Sequence, residues 1–191
     1  MSWVSQARLL RAIGFDDAPF GNARGRAVPL VGAVCSGTRF EGMVFGRVRK
    51  DGWNATGEIV RLLEGGKFLP QLHLVLLDGI AFGGFNMVDL EALALRLGRP
   101  CAAVMRRPPE WNALERALSR LPSPRRRLEW IRRAGPIHER RGFFFQVRGG
   151  DPEEVAEALE RLTDVGRVPE ALRLAHLIGS AVVTGESGRR A

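Results

Sequence analysis

Cysteine is nearly absent: Cys35 and Cys101 are the only two in 191 residues. Two thiols make neither a disulfide framework nor a four-ligand zinc site. Both lie in apolar, strand-like runs, where a reduced and buried thiol is the usual state, and this points to a reducing cytoplasm. Histidine is scarce too, with three residues, and no His-x-x-x-His or Cys-x-x-Cys pair occurs, which argues against a zinc enzyme. No serine has the strand-turn-helix glycine context of a hydrolase nucleophile. No run of about 18 apolar residues exists, so no membrane span is expected. Met1-Ser2-Trp3-Val4 lacks the basic-then-apolar pattern of a signal peptide. Repeats and low-complexity tracts are missing apart from short arginine clusters.

Lysine is also rare, with only Lys50 and Lys67, so the positive charge is carried by arginine. The formal net charge of +8 is unevenly placed: Arg96 to Arg141 holds 13 Arg against 4 Glu, and the rest of the chain is close to neutral. Guanidinium forks match phosphate geometry, so such a patch attracts polyanions. A solvated helix surface in an arginine-rich chain would have the same composition.

Length and the lack of a long linker predict one domain over residues 1–191, with an N-terminal arm or short helix at 1–11 and a polar tail at 184–191. Ala12 to Asp17 reads as a strand ending in two carboxylates, followed by a turn at Ala18-Pro19-Phe20-Gly21. Ala27 to Ser36 and Thr38 to Arg49 read as a hairpin around Gly37. A helix over about Asn54 to Glu64 precedes the apolar strand Leu72 to Leu77, and Asn86 is expected to cap a helix running to Leu97. Pro100 to Met105 reads as another buried strand, followed by two helices, one marked by Trp111, Leu114 and Leu118 and one opening at Ser123-Pro124. A strand at Phe143 to Arg148, a helix capped by Asp151 and a helix over about Pro169 to Val182 complete the chain. The order predicts an α/β fold: a mixed sheet of five or more strands, an antiparallel meander and then parallel strands, with helices on both faces.

If the first, fourth and fifth strands are parallel, their carboxyl ends share one edge, where open α/β sheets bind ligands. Asp16 and Asp17, Asp78, and Arg106 and Arg107 would meet there. Asp16 and Asp17 are neighbours in a strand and point to opposite faces, so Asp16 is the one expected to face Asp78. Converging carboxylates suit Mg²⁺ or Mn²⁺, which bind through a few carboxylates plus water and substrate phosphate. As structural groups, the same aspartates would be turn and cap residues. Gly79 to Asn86 is a glycine-bearing loop with backbone N–H groups that could take a phosphate, or a tight loop with Phe82 and Phe85 packed on the core. His176, on an otherwise apolar helix, reads either as a satisfied core histidine or as a group touching substrate.

At these residues a resemblance appears. Ile13-Gly14-Phe15-Asp16-Asp17-Ala18-Pro19-Phe20, the stretch Leu77-Asp78-Gly79 through Asp89, Val104-Met105-Arg106-Arg107-Pro108 and Gly185-Glu186-Ser187 resemble the motifs of the domain of unknown function 99 family. That likeness covers nearly the whole chain and implies no established activity. More distantly, the sequence resembles endonuclease V, a metal-dependent nuclease with a ribonuclease H-like fold. The resemblance implies Asp16 and Asp78 as metal ligands, Gly79 beside them, and Arg106 or Arg107 as the basic group after the next strand. The final helix around Arg167 to His176 is similar as well, with Ala171 in place of a usual proline. The endonuclease V motif carrying a catalytic glutamate between the aspartates is absent; the region reads Lys50-Asp51-Gly52-Trp53-Asn54-Ala55-Thr56. Asp51 is the substitute for the third carboxylate, with Glu58 next, and deaminated-base recognition is not implied. The expected function is a divalent-metal-dependent endonuclease on RNA or DNA. The alternative is a nucleic-acid-binding protein on the same fold that has lost catalysis, and the third is an acidic-edged scaffold for some other ligand.

Overall fold

The three apolar runs expected to lie parallel are the centre of the sheet. They become β1 (Arg11–Asp17), β4 (Leu74–Asp78) and β7 (Cys101–Met105), with β1 parallel to β4 and β4 parallel to β7. The computed structural model describes residues 3–22 and 25–188. The first two residues of the expected arm and the last three of the expected tail lie outside the described residues. β2 (Ala27–Ser36), β3 (Arg39–Arg49), β8 (His138–Arg140) and β9 (Phe143–Arg148) extend this centre antiparallel on both sides. Together they form a seven-stranded sheet in the order β3-β2-β1-β4-β7-β9-β8. β4 and β7 are buried on both faces, as their unbroken apolar sequences require.

Helices cover both faces. α2 (Ala55–Leu63) and α3 (Leu90–Leu97) bury Ile59, Leu63, Leu90 and Leu93 against Ile13, Phe15, Val75 and Leu77. On the other face, α6 (Pro152–Arg161) packs Val155 and Leu159 on Leu74, Leu76 and Val104, beside the short α1 (Trp3–Gln6). α7 (Glu170–Thr184) lies over β1 and β2. The pair α4 (Trp111–Ser119) and α5 (Pro124–Arg133) closes a smaller cluster with Leu118, Ile131 and Met87. Among the described residues no helix is long and apolar enough to cross a membrane.

Two details depart from expectation. Residues 79–89 do not run straight into a helix. β5 (Ala81–Phe82) and β6 (Asn86–Met87) make a small hairpin first, and α3 is capped by Asp89, whose side chain accepts from Ala92 N–H at 3.1 Å. The three-residue β8 was also not anticipated; a run this short shows no period. Asp151 caps α6 as its sequence indicates, accepting from Glu153 and Glu154 N–H at 2.9 and 3.1 Å. Both cysteines are fully buried and unpaired. Burial pushes the Cys35 thiol up to about 12 and raises that of Cys101 as well.

Candidate active site

Strand register places the carboxylates. Gly14 is level with Leu76 and Phe15 with Leu77, so Asp16 and Asp78 are the next couple along. Side chains alternate along a strand, so Gly14 and Asp16 share a face with Leu74, Leu76 and Asp78. Two carboxylates therefore stand on adjacent parallel strands, at their carboxyl ends, on the face covered by α7. That helix comes unusually close because β1 offers no side chain beneath it at Gly14. A Cβ at Gly14 would stand 2.5 Å from the Ala171 carbonyl carbon and the Leu172 nitrogen, and one at Gly179 would be 3.3 Å from Ala18 Cα. Between these two contacts His176 meets Asp16, with Nδ1 2.8 Å from Oδ2. The other carboxylate oxygen of Asp16 accepts from Asp17 N–H at 2.8 Å, and the residue is only 5% exposed.

The electrostatics are unbalanced. Burial, then the charges of Asp78 and Asp17, push the Asp16 carboxyl up to about 7, against the opposing pull of His176. Asp17 and Asp78 are raised as well, each chiefly by burial. The Gly83 N–H donates to Asp17 Oδ2 and holds that shift down. Arg106 opposes the shift of Asp78. Among the described residues the Asp78 carboxylate accepts no hydrogen bond, and the one basic side chain in contact with these aspartates is His176, at Asp16. Desolvated like charges of this kind are costly unless protonated or compensated by a cation. Among the described residues no three His, Cys, Asp or Glu side chains form a metal cage. The donor set fits instead a hard ion that keeps waters and takes ligands from a phosphate, as Mg²⁺ does with one or two carboxylates.

The remaining expected residues fall around this pair. Arg106 follows β7 on the same face as Asp78. Arg107 turns to the opposite face, where it lines a cavity of about 210 Å³ with Gly79, Ile80, Phe85, Met105 and Leu114. Gly79 adopts φ 82°, and a Cβ there would meet nothing within 4 Å. Several N–H groups of the loop are engaged within the protein. Gly79 donates to Val104 O, Val88 to Ile80 O, Gly83 to Asp17 and Phe85 to Asp51. Asp51, at φ 54°, is woven into this loop: its N–H donates to Gly83 O at 2.9 Å and its Oδ1 accepts from Phe85 N–H at 3.0 Å. Glu58 is engaged by Arg61 and by Arg47 N–H.

Two structural residues of the site escaped the sequence reading. Asn86, fully buried, caps α2 rather than α3: its Oδ1 accepts from Ala55 N–H at 3.0 Å. Its amide donates to Arg49 O and Asn54 Oδ1, both at 2.8 Å. Asn86→Ala should lose about 2 kcal/mol in chemical denaturation, since the buried Ala55 N–H, Arg49 O and Asn54 Oδ1 all lose a partner. Arg127, counted with the basic surface by composition, is fully buried. Its guanidinium donates to Asp51 O at 2.7 Å and to Phe85 O, with its carbon 4.2 Å from the Trp53 ring centroid. Its place one turn before Ile131 on the inner face of α5 was the available signal.

The seven-stranded mixed sheet with helices on both faces matches the fold of endonuclease V structures. Residues 8–183 match the endonuclease dU family, and the chain belongs to it. A UPF0215 protein of Deinococcus radiodurans is 43% identical over 181 residues, 94% of this chain and 92% of that one. The crystal structure of a protein of unknown function from Archaeoglobus fulgidus superposes with a TM-score of 0.86 at 31% identity, over 92% of this chain and 99% of that one. Ciona intestinalis endonuclease V, in complex with a 24mer DNA containing an inosine followed by a ribo-adenosine, gives a TM-score of 0.53 at 15% identity, over 88% and 83% of the two chains. At that identity the likeness is one of fold.

Proposed function

We propose that the protein is a divalent-metal-dependent endonuclease that hydrolyses a phosphodiester bond in nucleic acid. The observation that carries this reading is the pair Asp16 and Asp78, desolvated together at the carboxyl edge of β1 and β4, where the pull of His176 and Arg106 does not offset the burial. In it, Asp16 and Asp78 hold Mg²⁺ or Mn²⁺, and Asp51 sets the loop beside them. The bound ion would supply Lewis acidity toward the phosphate and an activated water. His176 fixes the orientation of the Asp16 carboxylate, and Arg106 offers a guanidinium fork to a phosphate oxygen on the same face. Gly79 leaves room for the strand next to Asp78. Arg116, Arg120, Arg125 and Arg132, which make no ion pair among the described residues, suit a polyanionic backbone.

The family description directs the substrate search to DNA carrying deoxyuridine, and the cavity beside Gly79 and Arg107 is of a size to take a single base. The test is nicking of a duplex bearing one deoxyuridine, with Mn²⁺ or EDTA. Wild type is expected to cleave only with the ion, and Asp78→Asn to lose at least about a thousandfold in rate, since it removes a group that acts only with the ion in place. A wild type inert on this duplex and on structured, single-stranded and inosine-bearing substrates would sink the reading, as would an Asp78→Asn variant that cuts normally.

A second reading, binding without catalysis, is favoured by the commitment of Asp51 to the loop, which leaves the site short of a third free carboxylate. It requires salt-sensitive nucleic-acid binding that survives both EDTA and Asp16→Asn.

A further inference from the structure

The loop between β3 and α2 does more than carry Asp51. Two residues on it presents Trp53, half-buried, against α5. Trp53 and Trp130 meet edge to face, with ring centroids 5.3 Å apart and planes at 80°. The exposed Arg126 lies over both, its guanidinium carbon 4.6 Å from the Trp53 centroid and 5.3 Å from that of Trp130. Beneath them the buried Arg127 stacks on Trp53 and donates to the carbonyls of Asp51, Gly52 and Phe85. This buried layer fixes the indoles and the exposed guanidinium without help from a ligand.

The cluster is tied to the carboxylates by a short chain of bonds. Asp17 accepts from Gly83 N–H, Gly83 O accepts from Asp51 N–H, and Trp53 follows two residues later. The helices around it carry arginines with no carboxylate partner among the described residues, whereas Arg133, Arg140 and Arg141 on the neighbouring surface are paired with Asp89, Glu91, Glu153 or Glu160. Unspent positive charge thus surrounds the aromatic cluster.

Flat π-surfaces and a guanidinium plane in a basic field match a nucleobase that has left its duplex. Bases stack on aromatic rings and on arginine in a largely sequence-tolerant way, while the surrounding charge holds the backbone. A paired base keeps its faces inside the helix and cannot use them. We propose that Trp130 and the guanidinium of Arg126, both braced by Trp53, form a stacking platform for an unpaired nucleotide, which holds a single-stranded segment next to the cleavage site. The inference deepens the proposed nuclease function and rests on it only for the strand being a substrate.

Binding is measured in EDTA, so that no cleavage intervenes, with a labelled 20-residue deoxythymidine oligonucleotide and a duplex of equal length as probes. The single strand is expected to bind and to quench tryptophan fluorescence. Trp130→Leu should weaken single-strand binding by about tenfold and change duplex binding less than twofold, while Trp130→Phe should keep most of the affinity. Arg126→Met should reproduce the single-strand loss in part, without disturbing the buried Arg127. Matching thermal melts for the variants establish that the fold is intact. An unquenched wild type, a Trp130→Leu variant within twofold of wild type on the single strand, or an equal loss on both probes would each overturn the platform. Failure of deoxyuridine nicking with these binding results intact would overturn the nuclease reading and leave the platform standing.

Discussion

Asp16→Asn is expected to make the ion-free protein more stable above pH 7, by about 2 kcal/mol, or roughly 5 °C in Tm for a chain of this length. The sign follows from the direction of the shift. The folded carboxyl is pushed up to about 7 from an ordinary value of 3.8, so between these pH values the native state holds more protons than the unfolded chain. Stability then falls as pH rises through this window and stays low above it. Asp17 and Asp78, both raised, add to the slope in the same sense, while Arg106 and His176 face the cluster and oppose it. Asparagine keeps the shape, removes one buried charge and flattens the curve. The difference between variant and wild type should close toward pH 4. Thermal melts in EDTA from pH 4 to 8 make the measurement. Added Mn²⁺ should raise the wild-type Tm at pH 8 by preferential binding to the native state and leave the variant nearly unmoved. A wild type that gains stability between pH 4 and 7 while Asp16→Asn loses it would show that the aspartates are not in mutual strain.

Gly14→Ala is expected to cost about 3 kcal/mol, read as a fall in the urea midpoint at unchanged slope. The added methyl would stand 2.5 Å from backbone atoms of Ala171 and Leu172, and backbone cannot rotate aside as a side chain can. Helix α7 must lift from β1. His176 rides on that helix, so its 2.8 Å contact with Asp16 would open as well, and nuclease activity should fall in the fraction that still folds. Gly57→Ala is the matched control. Gly57 lies in α2 with nothing within 4 Å of a Cβ, and alanine there should gain about 0.5–1 kcal/mol. Equal losses at the two positions would mean that the close approach of α7 is not what Gly14 provides.

The parallel core was legible because its strands announce themselves: Leu74 to Leu77 and Cys101 to Met105 are unbroken apolar runs, each followed by a charged residue. The adjacency of Asp16 and Asp78 followed from strand order. The small hairpin of β5 and β6 was not legible, since two-residue strands leave no alternation to read. Asn86 misled because a capping residue looks the same whichever helix it caps. Asp89 took α3, and Asn86 reached across the fold to α2. Arg127 misled for a different reason. Composition counts charge without regard to burial, and the clue was positional, one helical turn before Ile131. His176 could be read either way, because its partner is chosen by a tertiary contact between Gly14 and the helix, which no local pattern encodes.

The two buried sulfurs also have a practical consequence. Thiolates, not thiols, attack electrophiles, and Cys35, held up to about 12, and Cys101, also raised, are shielded from both solvent and reagent. A new cysteine placed on an exposed helix surface would therefore be the sole fast target for a maleimide dye. The native chain can in this way be tagged at one chosen point for distance measurements without first removing either of its own sulfhydryls.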